Sequence, residues 1–464
     1  MRIRIFLILF FTMTIAVSAQ NENDMIRVVG DTLMGKLVNG ENQREVIGNV
    51  IMTQGNVTIT CDHAIQYLAA NEAKLMGNVV VKQDTITVQT PHGYYYGNTR
   101  KAYSDTSIIV NDRHVTLTAN RGYYYFEEHK ADLFSNVKLR DNINTLNALR
   151  LIYYQDSSKA VSFGNVSIHD TASVIYADSL IYYRNTKDTY AFNNIRIYNI
   201  HNSVFIAGQK LVDISDSSYT RITGKPILTQ IDTADDGVID TLVITSNEMI
   251  SKKDSLESLT ALDSVKIVRG DFASVNNRTI YYRNEGKIFL YKKEDEPAQP
   301  IIWYDNSQLT GDSVYIFQKD RRIDLITIDK NAFLLSTIKG YNYRYDQISG
   351  DTINMHFDKG KLNRILVNGN VLSIYYIFDE NKPNGLIKSS SENAKIIVDS
   401  GRVADVRLYI SAVTEYHPEK LLIGKEQEFT LPSFVIYYNR PKKEDLMNDR
   451  QINNTELIMN KLPE

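Results

Sequence analysis

The chain has 464 residues, with 52 Lys and Arg against 55 Asp and Glu, a net charge of −3 at pH 7, and one cysteine. A chain this close to neutrality lacks the basic footprint by which proteins hold nucleic acid, and a lone cysteine excludes an internal disulfide framework. Thirty Tyr and only nine Pro, with abundant Val, Ile and Thr, point to a chain rich in strands and poor in irregular loops.

The first element reads as a secretory signal peptide over residues 1–19. Arg2 and Arg4 precede an apolar run at 5–15, and Val17-Ser18-Ala19 supplies small residues for cleavage. The run is shorter than the ~20 residues that cross a bilayer, so export to the periplasm is expected rather than a spanning anchor. No Cys follows the run, which argues against a lipid-modified N-terminus. Residues 20–45 form a lead-in.

From residue 46 to 212 the sequence is periodic. Asn49, Asn78, Ser107, Asn136, Asn165 and Asn194 stand 29 residues apart, and each opens a run that alternates apolar and polar side chains. Tyr67, Tyr96, Tyr125, Tyr154 and Tyr183 keep the same step, with Val212 at its end, as do Ala73, Ala102, Ala131 and Ala160. Alternation is the signature of a strand with one buried face, so Val79, Val81, Val137, Leu139, Val166, Ile168, Ile195 and Ile197 point inward while Lys138, Ser167 and Arg196 meet water. Polar segments such as Asn98-Thr99-Arg100 suit turns, and each unit is expected to hold two or three short strands. One such unit cannot bury its apolar face alone, so neighbours must stack.

Over 213–300 the strict period is lost but the strand pattern continues, since Tyr282 follows Ser264 at the 18-residue offset of the first array. An acidic cluster at 232–240 and a charged loop at 294–300 interrupt it. Between 301 and 440 a longer unit appears. Leu309-Thr310-Gly311-Asp312 matches Ile348-Ser349-Gly350-Asp351 at a step of 39, which also pairs Ile326 with Ile365, Ile328 with Val367 and Asn331 with Asn370. A looser copy follows at 394–408, with Gly401 standing where Gly360 stood. Residues 441–464 are charged and read as a mobile tail or frayed helix.

Chemistry-bearing residues do not converge. Asp178, Asp312 and Asp351 recur before strands, where a carboxylate more often bonds nearby backbone than performs acid–base work. The 232–240 cluster resembles a calcium loop at Asp236-Gly237, but Ala234 fills a ligand position and Val243 stands where a bidentate Glu belongs. The eight His show no ligand spacing, His63 and His92 being repeat equivalents, and Cys61 reads as a small buried side chain. No nucleophile elbow or phosphate-cradling loop is found, so no catalytic residue, metal or cofactor is assigned.

The Gly48-Asn49-Val50, Gly77-Asn78-Val79 and Gly164-Asn165-Val166 openings, with the later Gly-Asp-Ser/Thr strands and Gly369-Asn370-Val371, resemble the OstA-like family over most of residues 46–380. That family contains the periplasmic bridge protein of lipopolysaccharide transport and the N-terminal domain of the outer-membrane lipopolysaccharide assembly protein. The resemblance implies an all-β, elongated β-jellyroll, or β-taco, in which two antiparallel sheets form a V and acyl chains slide along its apolar interior. The implied setting is the periplasm, either free there or outer-membrane associated. Implied partners are lipopolysaccharide or a similar glycolipid, and other jellyrolls, self or an outer-membrane assembly protein, joined by edge-strand pairing. This chain is longer than the family's bridge proteins and lacks the C-terminal signature of an outer-membrane barrel. The competing class is a secreted or surface β-solenoid serving structure or adhesion; a carbohydrate-active β-helix enzyme would need a carboxylate constellation on one repeat face, and none stands out.

Overall fold

The computed structural model describes residues 25–199, 203–233, 237, 239–252, 257–292, 300–320, 322–380, 382–399 and 402–448. The signal peptide 1–19, most of the centre of the 232–240 cluster, residues 294–299, Gly401 and residues 449–464 lie outside them. The described chain is all-β. Its strands pair antiparallel with their sequence neighbours, and the α-helix Lys443–Asn448 is the one such helix among the described residues. Two compact units divide it: one holds the chain up to Asn142 together with Arg150–Asp156, the other Ile143–Leu149 and everything from Ser157.

The Asn ladder marks the middle of long strands. Gly77 and Asn78 sit inside the single strand Glu72–Gln83, with φ of 75° and 47°, and the pairing register shifts between Met76 and Val79. Two consecutive left-handed residues recur at Gly48-Asn49, Ser135-Asn136, Gly164-Asn165, Asn193-Asn194, Asp263-Ser264, Lys330-Asn331 and Gly369-Asn370. Each pair is a β-bulge, which bends its strand without ending it. The expectation of two or three short strands per unit is thereby corrected to two long ones where a bulge carries the strand through, while residues 101–125 hold short strands. The residues look like a turn because a bulge needs the same left-handed backbone.

The bulge also keeps the interior continuous around the bend. On the bulged strand the buried positions step by four across the corner, from Leu75 to Val79, whereas on the facing strand Val57–Tyr67 they step by three, from Cys61 to Ala64. Ser162 to Val166 against Ala177 to Leu180 repeats this in the second unit. One extra residue per bend thus leaves the same face inward. Ser107 is the exception: Asp105-Thr106-Ser107 opens a gap between the strands Lys101–Ser104 and Ile108–Asn111, closed by the Ser104 hydroxyl donating to Ser107 O at 2.8 Å.

The Tyr and Ala ladders are two halves of one packing rule. Fully buried rings belong to Tyr95, Tyr124, Tyr153 and Tyr182, each one residue before the ladder position, whose Tyr96, Tyr125, Tyr154 and Tyr183 lie on the outer face. Tyr95 stands between Ala73 and Ala102 on its neighbours, and Tyr124 between Ala102 and Ala131. Large beside small fills the row at native density.

In the second unit several strands are buried on both faces. Ala332 and Leu334 belong to the main interior with Ile326, Ile328, Ile353 and Val367, while Phe333 and Leu335 face the other way with Ile374 and Tyr376. That outer face is covered by the chain after Pro418, which runs back across the sheet. Leu422 and Leu431 seat against Phe333, and Leu446 and Met447 of the terminal helix against Phe205, Val243 and Trp303. The described part of segment 441–464 is therefore packed on the sheet.

Two glutamines set the register of this strap. Gln347 donates to Phe429 O at 3.2 Å and accepts from Leu431 N at 2.8 Å; Gln308 does the same with Val435 O and Tyr437 N, both at 2.8 Å. They lie 39 residues apart, one long repeat, so each unit offers the strap one side-chain amide that mimics a paired strand. Near the strap's start, Arg344 forks onto Glu419 at 2.7 and 3.0 Å.

Close by, Asp346 is half-buried, accepting from Tyr376 N at 2.9 Å, and desolvation pushes its carboxyl from 3.8 up to about 7. A native acid that holds its proton more tightly than the unfolded chain favours folding at low pH, and that contribution is lost as pH rises through the native value. Stability is expected to fall between about pH 4 and pH 7, and Asp346→Asn, which keeps the acceptor, to flatten that slope in urea titrations. An unchanged slope would place the pH dependence elsewhere.

Candidate functional site

The eight inward residues occupy the interior of the two units. Val79, Val81, Val137 and Leu139 lie in the first, Val166, Ile168 and Ile195 in the second, and all seven are at most 5% exposed. Val81 stands beside Ile59 and Val88, and Leu139 beside Leu117, so their neighbours are apolar and in contact across the ladder. Ile197 differs. It is half-buried, in a cross-strand row with Ile175 and Ile206, which are half-buried too. Lys138 and Arg196 lie exposed on the opposite face, and Ser167 is half-buried.

The four buried tyrosine hydroxyls of the 29-residue ladder are satisfied at the strand ends. Tyr95 donates to Gln54 Oε1 at 2.7 Å, Tyr124 to Gln155 Oε1 at 3.0 Å and Tyr153 to Asp112 Oδ2 at 2.7 Å, while Asn144 donates to Tyr182 at 2.8 Å. Burial pushes Tyr95 and Tyr124 above the usual phenol range, so both stay neutral donors. Cys61 is buried, donates weakly to His63 O at 3.4 Å and has its thiol pushed up to about 11 by burial, which suits a packing residue and not a nucleophile.

The recurring aspartates serve the bends. Asp62 accepts from Asn78 Nδ2 at 2.9 Å and Asp178 from Asn194 at 2.8 Å; Asp312 and Asp351 accept from Asn331 and Asn370 at 3.2 Å, and Asp31 from Asn49 at 2.9 Å. A carboxylate on one strand thus holds the corner amide of the next. The sequence carried this signal as an Asp 16 to 19 residues before each of these five Asn, with Asp178, Asp312 and Asp351 read only as strand-entry residues. In the 232–240 cluster, Asp232 and Asp240 pair with Arg269 at 3.2 and 2.7 Å. Among the described residues no group of three or more His, Cys, Asp or Glu could hold a metal ion, and no helix is long and apolar enough to cross a membrane.

What repeats, then, is a long strand bent at a left-handed pair, clamped at five of the bends by an Asp–Asn bond, around an apolar interior. Residues 24–163 match the model of a family described as OstA-like protein. This segment is OstA-like. It contains the bulges at Gly48, Gly77 and Ser135, and the same corner geometry continues beyond it to Gly369-Asn370, toward the limit near 380 that the motifs suggested. Among solved structures, one similar chain is titled the crystal structure of LptH, the LptA homologous periplasmic component of the conserved lipopolysaccharide transport device from Pseudomonas aeruginosa. It is 16% identical, covers 28% of this chain and 78% of its own, and superposes with a TM-score of 0.16, a likeness that supports no inference about this chain. No curated protein matches the chain.

Proposed function

We propose that this chain is a non-catalytic, exported protein of the lipopolysaccharide-transport type, working in the periplasm in outer-membrane assembly and holding acyl chains between its sheets. The observation that carries this reading is the OstA-like segment built on bent strands with a largely apolar buried face. Each methylene buried there contributes roughly 0.8 kcal/mol, so several tails in a Val- and Ile-lined interior bind tightly without a polar contact. Because seven of the eight inward positions are packed shut, tails enter by parting the sheets, and the half-buried row Ile175, Ile197 and Ile206 is the natural entry. Exposed edge strands such as Val413–Pro418 join another jellyroll, a second copy or an outer-membrane assembly protein, by strand pairing.

Photo-crosslinking residues placed at Val79, Val81, Val137, Leu139, Val166, Ile168, Ile195 and Ile197 in cells are expected to trap lipopolysaccharide, with Ile197 the most reactive and Lys138 and Arg196 silent. Crosslinks from the two exposed controls alone would sink the interior assignment. The packed interior favours one second reading, a secreted or surface β-solenoid of structural or adhesive function; it expects no lipid adduct at any position and protein outside the periplasm on fractionation.

A further inference from the structure

Apart from the apolar interior, the second unit has a polar cleft of about 440 Å3 at its strand ends, lined among others by Gln230, Asp232, Glu257, Tyr281, Arg283 and Gln318. Its size lies within the range of small-ligand sites, roughly 300–1,000 Å3. Its walls are held by the fold: Gln318 N donates to Gly286 O at 2.8 Å, and Gln230 Nε2 donates to Asp232 Oδ1 at 2.9 Å, which turns Gln230 Oε1 away from that bond. Three polar atoms of this lining, Arg283 Nε, Gln318 Nε2 and Gln230 Oε1, are buried without a hydrogen-bond partner. A buried polar atom left unpaired is unfavourable, so each of the three favours a partner that completes it. Three around one cleft, two donors and one acceptor, describe a surface awaiting a ligand that both gives and takes hydrogen bonds.

The charges narrow the class. Asp232 is paired with Arg269 and Glu285 with Lys287, which leaves Glu257 against Arg283 in the lining, so the cleft offers a phosphate or carboxylate no surplus of positive charge. Desolvation holds the Arg283 guanidinium below its usual range, and its planar fork presents donors in a fixed geometry. Hydroxyl groups fit both the donors and the acceptors, and the Tyr281 ring adds an aromatic element to the wall. We infer that the cleft between Gln230, Arg283 and Gln318 binds a neutral or amino saccharide unit. The inference stands on the cleft alone and does not require the lipid-carrier reading.

Saturation-transfer NMR on the purified chain tests it, with glucose, glucosamine and N-acetylglucosamine as separate probes and inorganic phosphate followed in parallel. Transfer to at least one sugar is expected, reduced about tenfold or more in Arg283→Ala and Gln318→Ala while circular dichroism and the urea midpoint stay unchanged. Should either variant fail to fold, Gln318→Met keeps the side-chain length without the amide and is expected to lose the same signal. No transfer to any sugar, transfer undiminished in the folded variants, or binding of phosphate alone would each overturn the assignment.

Discussion

Gly77→Val is expected to destabilise the first unit by about 3 kcal/mol, whereas Gly35→Ala in the same unit changes it by less than about 0.5 kcal/mol. Gly77 has a φ of 75°, a conformation that costs an L-residue roughly 1–2 kcal/mol and a β-branched one more. A Cβ there also lies 2.4 Å from Asp62 Oδ2 and 2.9 Å from Asp62 Cβ, so the carboxylate that clamps Asn78 must move. Losing that clamp alone, as in Asp62→Ala, costs about 1 kcal/mol, the net worth of one hydrogen bond. Gly35 has open space where its Cβ would stand and an ordinary strand backbone. Urea unfolding followed by tyrosine fluorescence separates the two, and equal midpoints for both variants would show that the corner tolerates side chains.

Ending the chain after Pro418 is expected to have a larger effect still. The strap buries Leu422, Leu431, Leu446 and Met447, each worth roughly 1.5–3 kcal/mol, and their removal bares Phe333, Leu335, Val243 and Trp303 on one sheet. Arg344 loses its forked partner Glu419 and is left as a nearly buried, unpaired cation. The truncated chain should bind a hydrophobic dye, self-associate and unfold at much lower urea. A milder pair, Gln308→Leu with Gln347→Leu, keeps the strap but removes its two register bonds, and should open residues 429–437 to proteolysis before the sheet itself unfolds. A truncated chain that stays monomeric with an unchanged midpoint would show that the strap covers nothing of consequence.

These two cases mark where reading the residues succeeded and where it stopped. The 29-residue step of Asn, Tyr and Ala exposed a stacked all-β fold, because a repeat that must bury one face writes its period directly into composition. The meaning of each ladder was harder to read. Asn78 looks like a strand opening because a left-handed pair suits a turn as well as a bulge, and only the register across Met76 and Val79 tells them apart. The Tyr ladder led to the outer ring of each Tyr-Tyr pair, since adjacent rings on opposite faces carry the same period. The Asp–Asn clamps join strands 16 to 19 residues apart and were visible as recurring letters without their partner.

By itself, then, the sequence determined the fold class, the repeat lengths of 29 and 39 residues and the identity of the inward face, all of which follow from local alternation and short-range pairing. Tertiary structure decided that the strands bend rather than end, that runs such as Leu242-Val243-Ile244 are buried on both faces, and that residues 419–448 return across the sheet to cover the second one. Those outcomes depend on contacts as distant as Gln308 with Tyr437, between segments that share no period, and a pattern of neighbours cannot encode which far segment will lie against it.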